Sequence, residues 1–211
     1  MGDSLTHLIV SVPAFLLAII LHEVAHGYVA YRLGDDTAKR AGRLTMSPLA
    51  HLDPIGTIFF IVSSLAGVGF GWAKPVPVIP SRLRDPRRDD MLVSLAGPVA
   101  NLAQAVVWAI LVRAAVVAVH ATGSELATTV GRFCLIGVSI NVLLMLFNLL
   151  PIPPLDGSHV AVRLLNVPDP HVVERAAPLG FIVLFLLLRV GVFDTIWGAV
   201  GMPIIGVLTG L

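Results

Sequence analysis

Six runs of apolar residues, separated by shorter polar connections, dominate the pattern along this chain. The runs lie at about residues 5–33, 54–71, 91–120, 130–150, 177–190 and 193–210. A helix needs about 20 mostly apolar residues to cross the hydrocarbon core of a bilayer. The pattern therefore predicts an all-α polytopic membrane protein with about five transmembrane helices. Whether the run at 54–71 also crosses the membrane depends on the charges of the loops on either side of it.

The composition agrees with a membrane protein and limits how much of the chain can lie outside the bilayer. Of the 211 residues, 56% are hydrophobic and 13% are charged, whereas soluble domains average about 45–50% and about 25%. This balance excludes an ordinary soluble globule and a disordered chain, and it leaves no room for a sizeable soluble domain. We therefore predict a single membrane domain over residues 1–211, with a core at about 5–160 and a C-terminal helical hairpin at about 176–211.

The distribution of charge predicts which loops face the cytoplasm. The net charge is only +1, which argues against a nucleic-acid partner. Lysine and arginine gather in two connections, at 31–53 and 74–90, and cytoplasmic loops carry an excess of these residues. Both loops can be cytoplasmic only if residues 54–80 enter the membrane and return to the same side. On that basis the N-terminus is outside and the C-terminus is cytoplasmic.

Residues 54–80 are therefore predicted to form a re-entrant element. We expect a short helix at 54–70 and a short returning β-strand over Trp72–Ile79, where alternating prolines exclude a helix. Backbone cannot face lipid unpaired, so the strand needs a partner, and Arg43–Ser47 is a candidate. A full second span at 54–72 is the alternative that the length of the run leaves open.

The chemistry begins with His22-Glu23-Val24-Ala25-His26 in the first apolar run. This H-E-x-x-H pattern puts two histidines four residues apart on one helical face, so both imidazoles can reach one zinc ion. Glu23 lies beside the first histidine and can take a proton from a zinc-bound water. Ionisable groups at membrane depth are costly and are functional by default, so a chance match is a poor explanation here.

A catalytic zinc ion needs a third protein ligand and one open position. The best candidate is Asp156, which follows the apolar helix at 130–150 in a proline-stiffened segment and precedes Gly157. His51, His159 and Asp53 are rival ligands by chemistry, since all three lie in loops near the same predicted membrane face.

Three motifs in order along the chain resemble the site-2 protease family of intramembrane zinc metalloproteases. They are His22-Glu23-Val24-Ala25-His26, Ala96-Gly97-Pro98-Val99-Ala100-Asn101, and Asn148 followed by Leu155-Asp156-Gly157. The resemblance runs from about residue 16 to 160, and Gly71–Pro80 is similar to the compact bacterial branch, which lacks PDZ and CBS domains.

The resemblance implies a role for each residue of these motifs. It implies one zinc ion per chain held by His22, His26 and Asp156, Glu23 as the general base, and Asn148 polarising the scissile carbonyl or holding the oxyanion. It also implies a bacterial inner-membrane protein whose active site lies towards the cytoplasmic side, in agreement with the charge count. The Ser158-His159 pair departs from the small residue and Arg or Lys that many relatives have there, so His159 receives no role.

The predicted function is an intramembrane zinc metalloendopeptidase that acts on a membrane-embedded protein or peptide in the lipid bilayer. A substrate helix must unwind to be cut, and the predicted strand can hold it by strand addition through Trp72, Val76 and Val78. Asn101 is a further candidate substrate contact, although an interhelical hydrogen bond explains it equally well. The alternative function is a non-proteolytic membrane metal-binding or transport protein, which has no need of Glu23.

Overall fold

A computed structural model of the chain describes residues 2–56, 58, 62, 73–167 and 171–211, with side chains from residue 10 onward. Most of the predicted re-entrant helix at 54–70, and Trp72 at the start of the predicted strand, lie outside these residues. The described residues are mainly helical and form no sheet, which agrees with the all-α prediction.

The helices follow the apolar runs. Three long helices occupy the first, third and fourth runs: α1 at Gly2–Arg32, α4 at Pro86–Thr122 and α5 at Glu125–Asn148. Short elements lie between α1 and α4: α2 at Thr37–Arg40, α3 at Pro48–His51 and a 3₁₀ turn at Pro80–Arg82. The C-terminal elements are α6 at Asp156–Leu164, α7 at Val172–Arg189, α8 at Val192–Ile196, a π-helical turn at Trp197–Gly201 and α9 at Met202–Thr209.

Among the described residues, four helical segments are long and apolar enough to cross a membrane. They are Val10–Arg32, Pro86–Thr122, Glu125–Asn148 and Val192–Thr209. The predicted span at 177–190 is not among them. Its helix, α7, has an apolar stretch only from residue 176 to 188, between Arg175 and Arg189. Thirteen residues rise about 20 Å, which is short of the roughly 30 Å hydrocarbon core.

The chain forms two compact units, Met1–Ala96 and Gly97–Leu211. In the first unit, residues 74–79 are extended and run beside α1. Val78 packs on a buried cluster of Ala30, Leu83 and Val93. The backbone contacts are an isolated antiparallel bridge between Ala73 and Leu52 and a 2.9 Å hydrogen bond from the Lys74 amide to the His51 carbonyl.

The pairing partner of this extended segment therefore differs from the prediction. The bridge is made with Leu52, not with Arg43–Ser47. Arg43 instead reaches the segment through its side chain, whose Nη2 donates to the Lys74 carbonyl at 2.5 Å. A proline-rich segment lacks the amide donors that a regular β-ladder needs. Side chains and single backbone amides therefore hold it against the rest of the first unit.

Asp35 fastens the other end of the segment to the turn after α1. One carboxylate oxygen accepts hydrogen bonds from the Thr37 amide at 3.0 Å and from the Thr37 hydroxyl, and the other accepts from the Ile79 amide at 2.6 Å. Burial raises the pKa of Asp35, but these hydrogen bonds and the nearby Arg82 charge outweigh burial, so the pKa lies below its ordinary value.

We predict that Asp35→Asn lowers the free energy of unfolding by about 1.5–3 kcal/mol at pH 7, because hydrogen bonds to a buried charged group are lost. The lowered pKa means that this contribution is complete above the unfolded-state pKa of about 3.9 and is lost as pH falls through the folded value. Thermal unfolding in detergent at pH 7 and at pH 3 should therefore show a difference between the two proteins that shrinks in acid. Asp36→Asn, at an exposed pair with Arg40, is the control and should change little.

The second unit is built on close packing of α4 against α5. Its buried cluster includes Val112 from α4, Val138 and Val142 from α5, and Ile205 from α9. Gly137 lets the helices approach, since a β-carbon there would lie 2.6 Å from the Trp108 ring. Small residues at such contacts are typical of helices that pack within a membrane.

Contacts within the second unit fix the direction of its C-terminal segment. Phe193 lies beside Phe147 with ring centroids 5.3 Å apart, so α8 begins at the Asn148 end of α5. Arg113, near the far end of α4, donates from Nε to the Leu208 carbonyl at 2.9 Å. The segment 192–209 therefore runs antiparallel to α5, and its last residues lie near the α4–α5 connection.

The position of α7 agrees with its short apolar stretch. Gly180, at its middle, packs so closely on the loop after α5 that a β-carbon would lie 1.7 Å from the Pro153 carbonyl oxygen. The middle of α7 and the start of α8 thus both lie at the Asn148 end of this unit. This arrangement differs from the prediction that the C-terminus returns to the Asn148 end, since the segment 192–209 ends beside Arg113 instead.

Candidate metal centre

Helix α1 brings the two motif histidines together. The Nε2 atoms of His22 and His26 lie 3.0 Å apart, and the rings meet edge to face with centroids 4.6 Å apart. Both side chains are buried, at 5% and 9% exposure. Two nitrogens bound to one tetrahedral zinc ion at 2.0–2.1 Å would be about 3.3 Å apart, so small ring rotations suffice to fit the ion.

The Val93 carbonyl orients the second histidine. The Nδ1 atom of His26 lies 2.7 Å from this oxygen and donates its hydrogen to it. With Nδ1 protonated, Nε2 is the ring atom that carries the lone pair for a metal, which is the usual outer-shell arrangement at zinc sites. The contact lies in the first half of α4.

Glu23 is anchored by the proline-rich segment. Its Oε2 atom accepts a 2.9 Å hydrogen bond from the Val76 backbone amide. The Val76 side chain is buried and packs where α1 has Gly27, whose β-carbon would lie 2.9 Å from Val76 Cγ1. Val76 therefore lies beside Glu23 and Gly27. Val78 packs on the buried cluster around Ala30, which is about one turn after Gly27 in α1.

Asp156 and Asn148 lie in the second unit at the two ends of a tight loop. Asn148 is the last residue of α5, and its Nδ2 donates to the Leu144 carbonyl at 3.0 Å. Asp156 is the half-buried first residue of α6. Gly157 is required beside it, since a β-carbon there would lie 2.3 Å from the Leu149 carbonyl oxygen.

The rival ligands in the first unit have local partners. His51 is buried, and its Nε2 lies 2.8 Å from the Thr45 carbonyl oxygen. Asp53 accepts a 2.7 Å hydrogen bond from the Gly56 amide, as a capping residue does. Both interactions support the turns between α2 and the segment that follows α3. His159 is half-buried in α6, three residues after Asp156.

Asn101 forms an interhelical hydrogen bond within the second unit. Its Nδ2 donates to Asn141 Oδ1 at 3.0 Å, and Asn141 Nδ2 donates in turn to the Gly137 carbonyl at 2.9 Å. Both asparagines are fully buried. This pair joins α4 to α5 and accounts for two polar residues in otherwise apolar helices.

Sequence reasoning missed the backbone groups that orient the motif. The Val93 carbonyl and the Val76 amide belong to apolar residues that carry no polar side chain to mark them. The alternation of Pro75 and Pro77 is the available signal for the Val76 amide, since each proline lacks a backbone donor and leaves Val76 with the N–H between them. No comparable signal marks the Val93 carbonyl.

Comparison with known proteins gives a consistent set of matches. A family model described as "Peptidase family M50" matches residues 113–188. The chain is 43% identical over 180 residues to "Putative zinc metalloprotease YwhC" of Bacillus subtilis (strain 168), covering 83% of this chain and 78% of that protein. No solved structure matches the chain.

More distant relatives come from mycobacteria. The chain is 31% identical over 180 residues to "Putative zinc metalloprotease Rip2" of Mycolicibacterium smegmatis, covering 85% of this chain and 66% of the relative. It is 32% identical over 148 residues to the protein of the same name in Mycobacterium tuberculosis H37Rv, covering 69% and 53%.

Proposed function

Because the chain belongs to peptidase family M50, the site-2 protease family of zinc metalloproteases, we propose that it hydrolyses peptide bonds of transmembrane segments within or near the bilayer. The long apolar helices in the described part of the chain make it an integral membrane protein. The names of its relatives favour proteolysis over metal transport. The observation that carries the proposal is the pair of buried imidazoles, with Nε2 atoms 3.0 Å apart, next to an anchored glutamate.

The residues present fit a zinc ion, and we assign one ion per chain to them. The ligands we assign are His22 and His26 of the first unit, whose Nε2 atoms already converge, and Asp156 of the second unit, which the resemblance to the family implies. Two imidazoles and one carboxylate are a donor set of catalytic zinc, which keeps a fourth position open. When bound, zinc polarises a carbonyl and lowers the pKa of a water towards 7.

Glu23 and Asn148 supply the remaining chemistry. Glu23 accepts the proton of the attacking water and returns it to the leaving amine, as a general base and then a general acid. Asn148, at the end of α5, donates a hydrogen bond to the oxyanion that develops on the scissile carbonyl. A single donor of this kind is typically worth about 2.7–4 kcal/mol in the transition state.

The proline-rich segment is the proposed substrate-binding element. Since the Val76 amide is donated to Glu23, an unwound substrate strand would bind here through the backbone carbonyls of Val76 and Val78. Trp72 and Asn101 stay proposed substrate contacts, as the sequence predicts.

We test the function by mapping the cleavage site. The full chain is reconstituted in liposomes with a model peptide that has one transmembrane helix, and the products are identified by mass spectrometry. We expect cuts inside the apolar stretch of the substrate, and none after the enzyme is treated with a chelator. Cuts confined to the soluble flanks of the substrate would contradict intramembrane cleavage.

We further propose an inner-membrane protein with its two basic loops and active site towards the cytoplasm. The loops at 31–53 and 74–90 carry nine of the 14 lysines and arginines, and such loops stay inside. We infer that the Asn148 end then lies inside and the last residues of the chain outside, an orientation that the contact of Arg113 with the Leu208 carbonyl supports.

We predict that a reporter fused after Leu211 is exported. Alkaline phosphatase fused there should be active, and green fluorescent protein should be dark, because each folds properly on only one side of the membrane. Fusions within the loop at 81–85 are the matched control and should give the opposite result. An active fluorescent fusion at the C-terminus would contradict a single crossing after α5.

A further inference from the structure

We propose that the backbone amide of Val76 is a positioning group for Glu23, an inference that rests on the proposed function. The amide nitrogen lies 2.9 Å from Glu23 Oε2, across 53 residues of sequence. Hydrogen bonds to a charged acceptor are the stronger kind. Glu23 itself lies on α1 directly after His22, so any change in its side-chain torsion moves the proton acceptor relative to the metal ligands.

The segment offers Glu23 one backbone donor at this point. Pro75 and Pro77 flank Val76 and have no N–H. The amides of Lys74 and Ile79 are donated elsewhere, to the His51 carbonyl at 2.9 Å and to Asp35 at 2.6 Å. The Val76 amide is the donor that holds the carboxylate, and the two flanking prolines mean that a slip by one residue in either direction would bring no N–H to replace it.

Side-chain packing fixes the position of the Val76 amide along the axis of α1. The Val76 side chain is buried at 9% exposure. A β-carbon on Gly27 would lie 2.8 Å from Leu44 Cδ2, 2.9 Å from Val76 Cγ1 and 3.0 Å from Ala38 Cβ. Gly27 follows His26 and lies one turn from Glu23. The absence of its side chain thus lets the segment approach the helix closely enough for the hydrogen bond to form.

This arrangement divides the two oxygens of the carboxylate between two tasks. Oε2 is held by the Val76 amide, and Oε1 then serves as the acceptor for the proton of the attacking water. The amide touches neither the reacting atoms nor the metal. Its loss should therefore lower the turnover number kcat while the zinc content stays unchanged, which a general loss of folding would not do.

The test compares Val76→Pro with Val76→Ala. Both remove the valine side chain, but only proline removes the N–H, and extended backbone accepts proline readily. We expect kcat of Val76→Pro to lie about 10–100-fold below that of Val76→Ala, the size of effect expected for one hydrogen bond to a charged group. KM and zinc per chain should be alike in the two variants. Equal kcat values in two zinc-loaded proteins would overturn the proposal.

A second pair of variants covers the case in which Val76→Pro fails to fold. Gly27→Ala favours the helix but pushes on Val76 Cγ1, so it should lower kcat several-fold. Adding Val76→Ala removes that methyl group and should restore part of the loss, whereas adding Leu44→Ala, which relieves the 2.8 Å contact with Leu44 Cδ2, is the matched control. Recovery no greater with Val76→Ala than with Leu44→Ala would overturn the proposal. If the wild type cleaves no membrane substrate, the proposed function fails instead. If the wild type is active and the variants have the same kcat, only the role of the Val76 amide is contradicted.

Discussion

Replacement of Glu23 by glutamine is expected to abolish cleavage while the protein keeps its zinc. The amide is nearly the same size as the carboxylate and can still accept a hydrogen bond from the Val76 amide, so α1 and its histidines should keep their places. It cannot accept the proton of the attacking water. General-base catalysis contributes about 10²–10⁴-fold, so the rate should fall by at least that range. Cleavage of a reconstituted transmembrane peptide, with zinc per chain measured on the same sample, checks both parts.

Glu125→Gln is the matched control for this change. Glu125 is exposed in the first turn of α5, so the same substitution there alters charge but not the motif. Its activity and zinc content should resemble those of the wild type. Cleavage by Glu23→Gln at the wild-type rate would show that Glu23 has no role in catalysis. The acid between the two histidines would then have no explanation in the proposed mechanism.

The histidine motif shows how much of the centre could be predicted from sequence. Helical spacing alone predicts that His22 and His26 share a face, and their Nε2 atoms do converge. The spacing could not predict what orients them. The Val93 carbonyl lies 67 residues from His26 along the chain, and every residue has a carbonyl. Only the fold selects which one points at the ring.

In the C-terminal region the structure differs from what hydropathy alone predicts. The apolar runs at 177–190 and 193–210 look alike by composition, and counting both as spans places the C-terminus inside. Arg175 and Arg189 limit the first run to about 20 Å, which is shorter than the roughly 30 Å hydrocarbon core. The direction of the second run depends on the contact of Arg113 with the Leu208 carbonyl. Partners 95 residues apart cannot be inferred from local pattern.

The proline-rich segment was predicted as extended for a correct local reason and paired with the wrong partner. Alternating prolines exclude a helix, and residues 74–79 form none. Its attachments are a side chain of Arg43, a carboxylate of Asp35 and the acid of the metal motif. Because these are polar groups and not a strand edge, a search for an alternating strand could not find them.

Replacement of Asp156 by alanine is expected to remove zinc and cleavage together, in contrast to the Glu23 variant. Loss of the carboxylate leaves the two imidazoles as the only assigned ligands, whereas a catalytic site needs three. Changes to outer-shell partners alone already cost about 10–100-fold in metal affinity or activity, so loss of a ligand should cost more. Metal analysis after dialysis against a weak chelator should find zinc in the wild type and in Asp194→Ala, at an exposed acid of α8, but not in Asp156→Ala.

Full zinc content in Asp156→Ala would identify a different third ligand. His159 is then the next candidate, because it lies in α6 three residues further on, and His159→Ala in the same background would have to lose the metal. His51 is a weaker candidate, since its Nε2 already contacts the Thr45 carbonyl. Loss of cleavage with zinc retained would instead give Asp156 a role in holding the substrate, and a histidine pair alone would have to keep the ion in place.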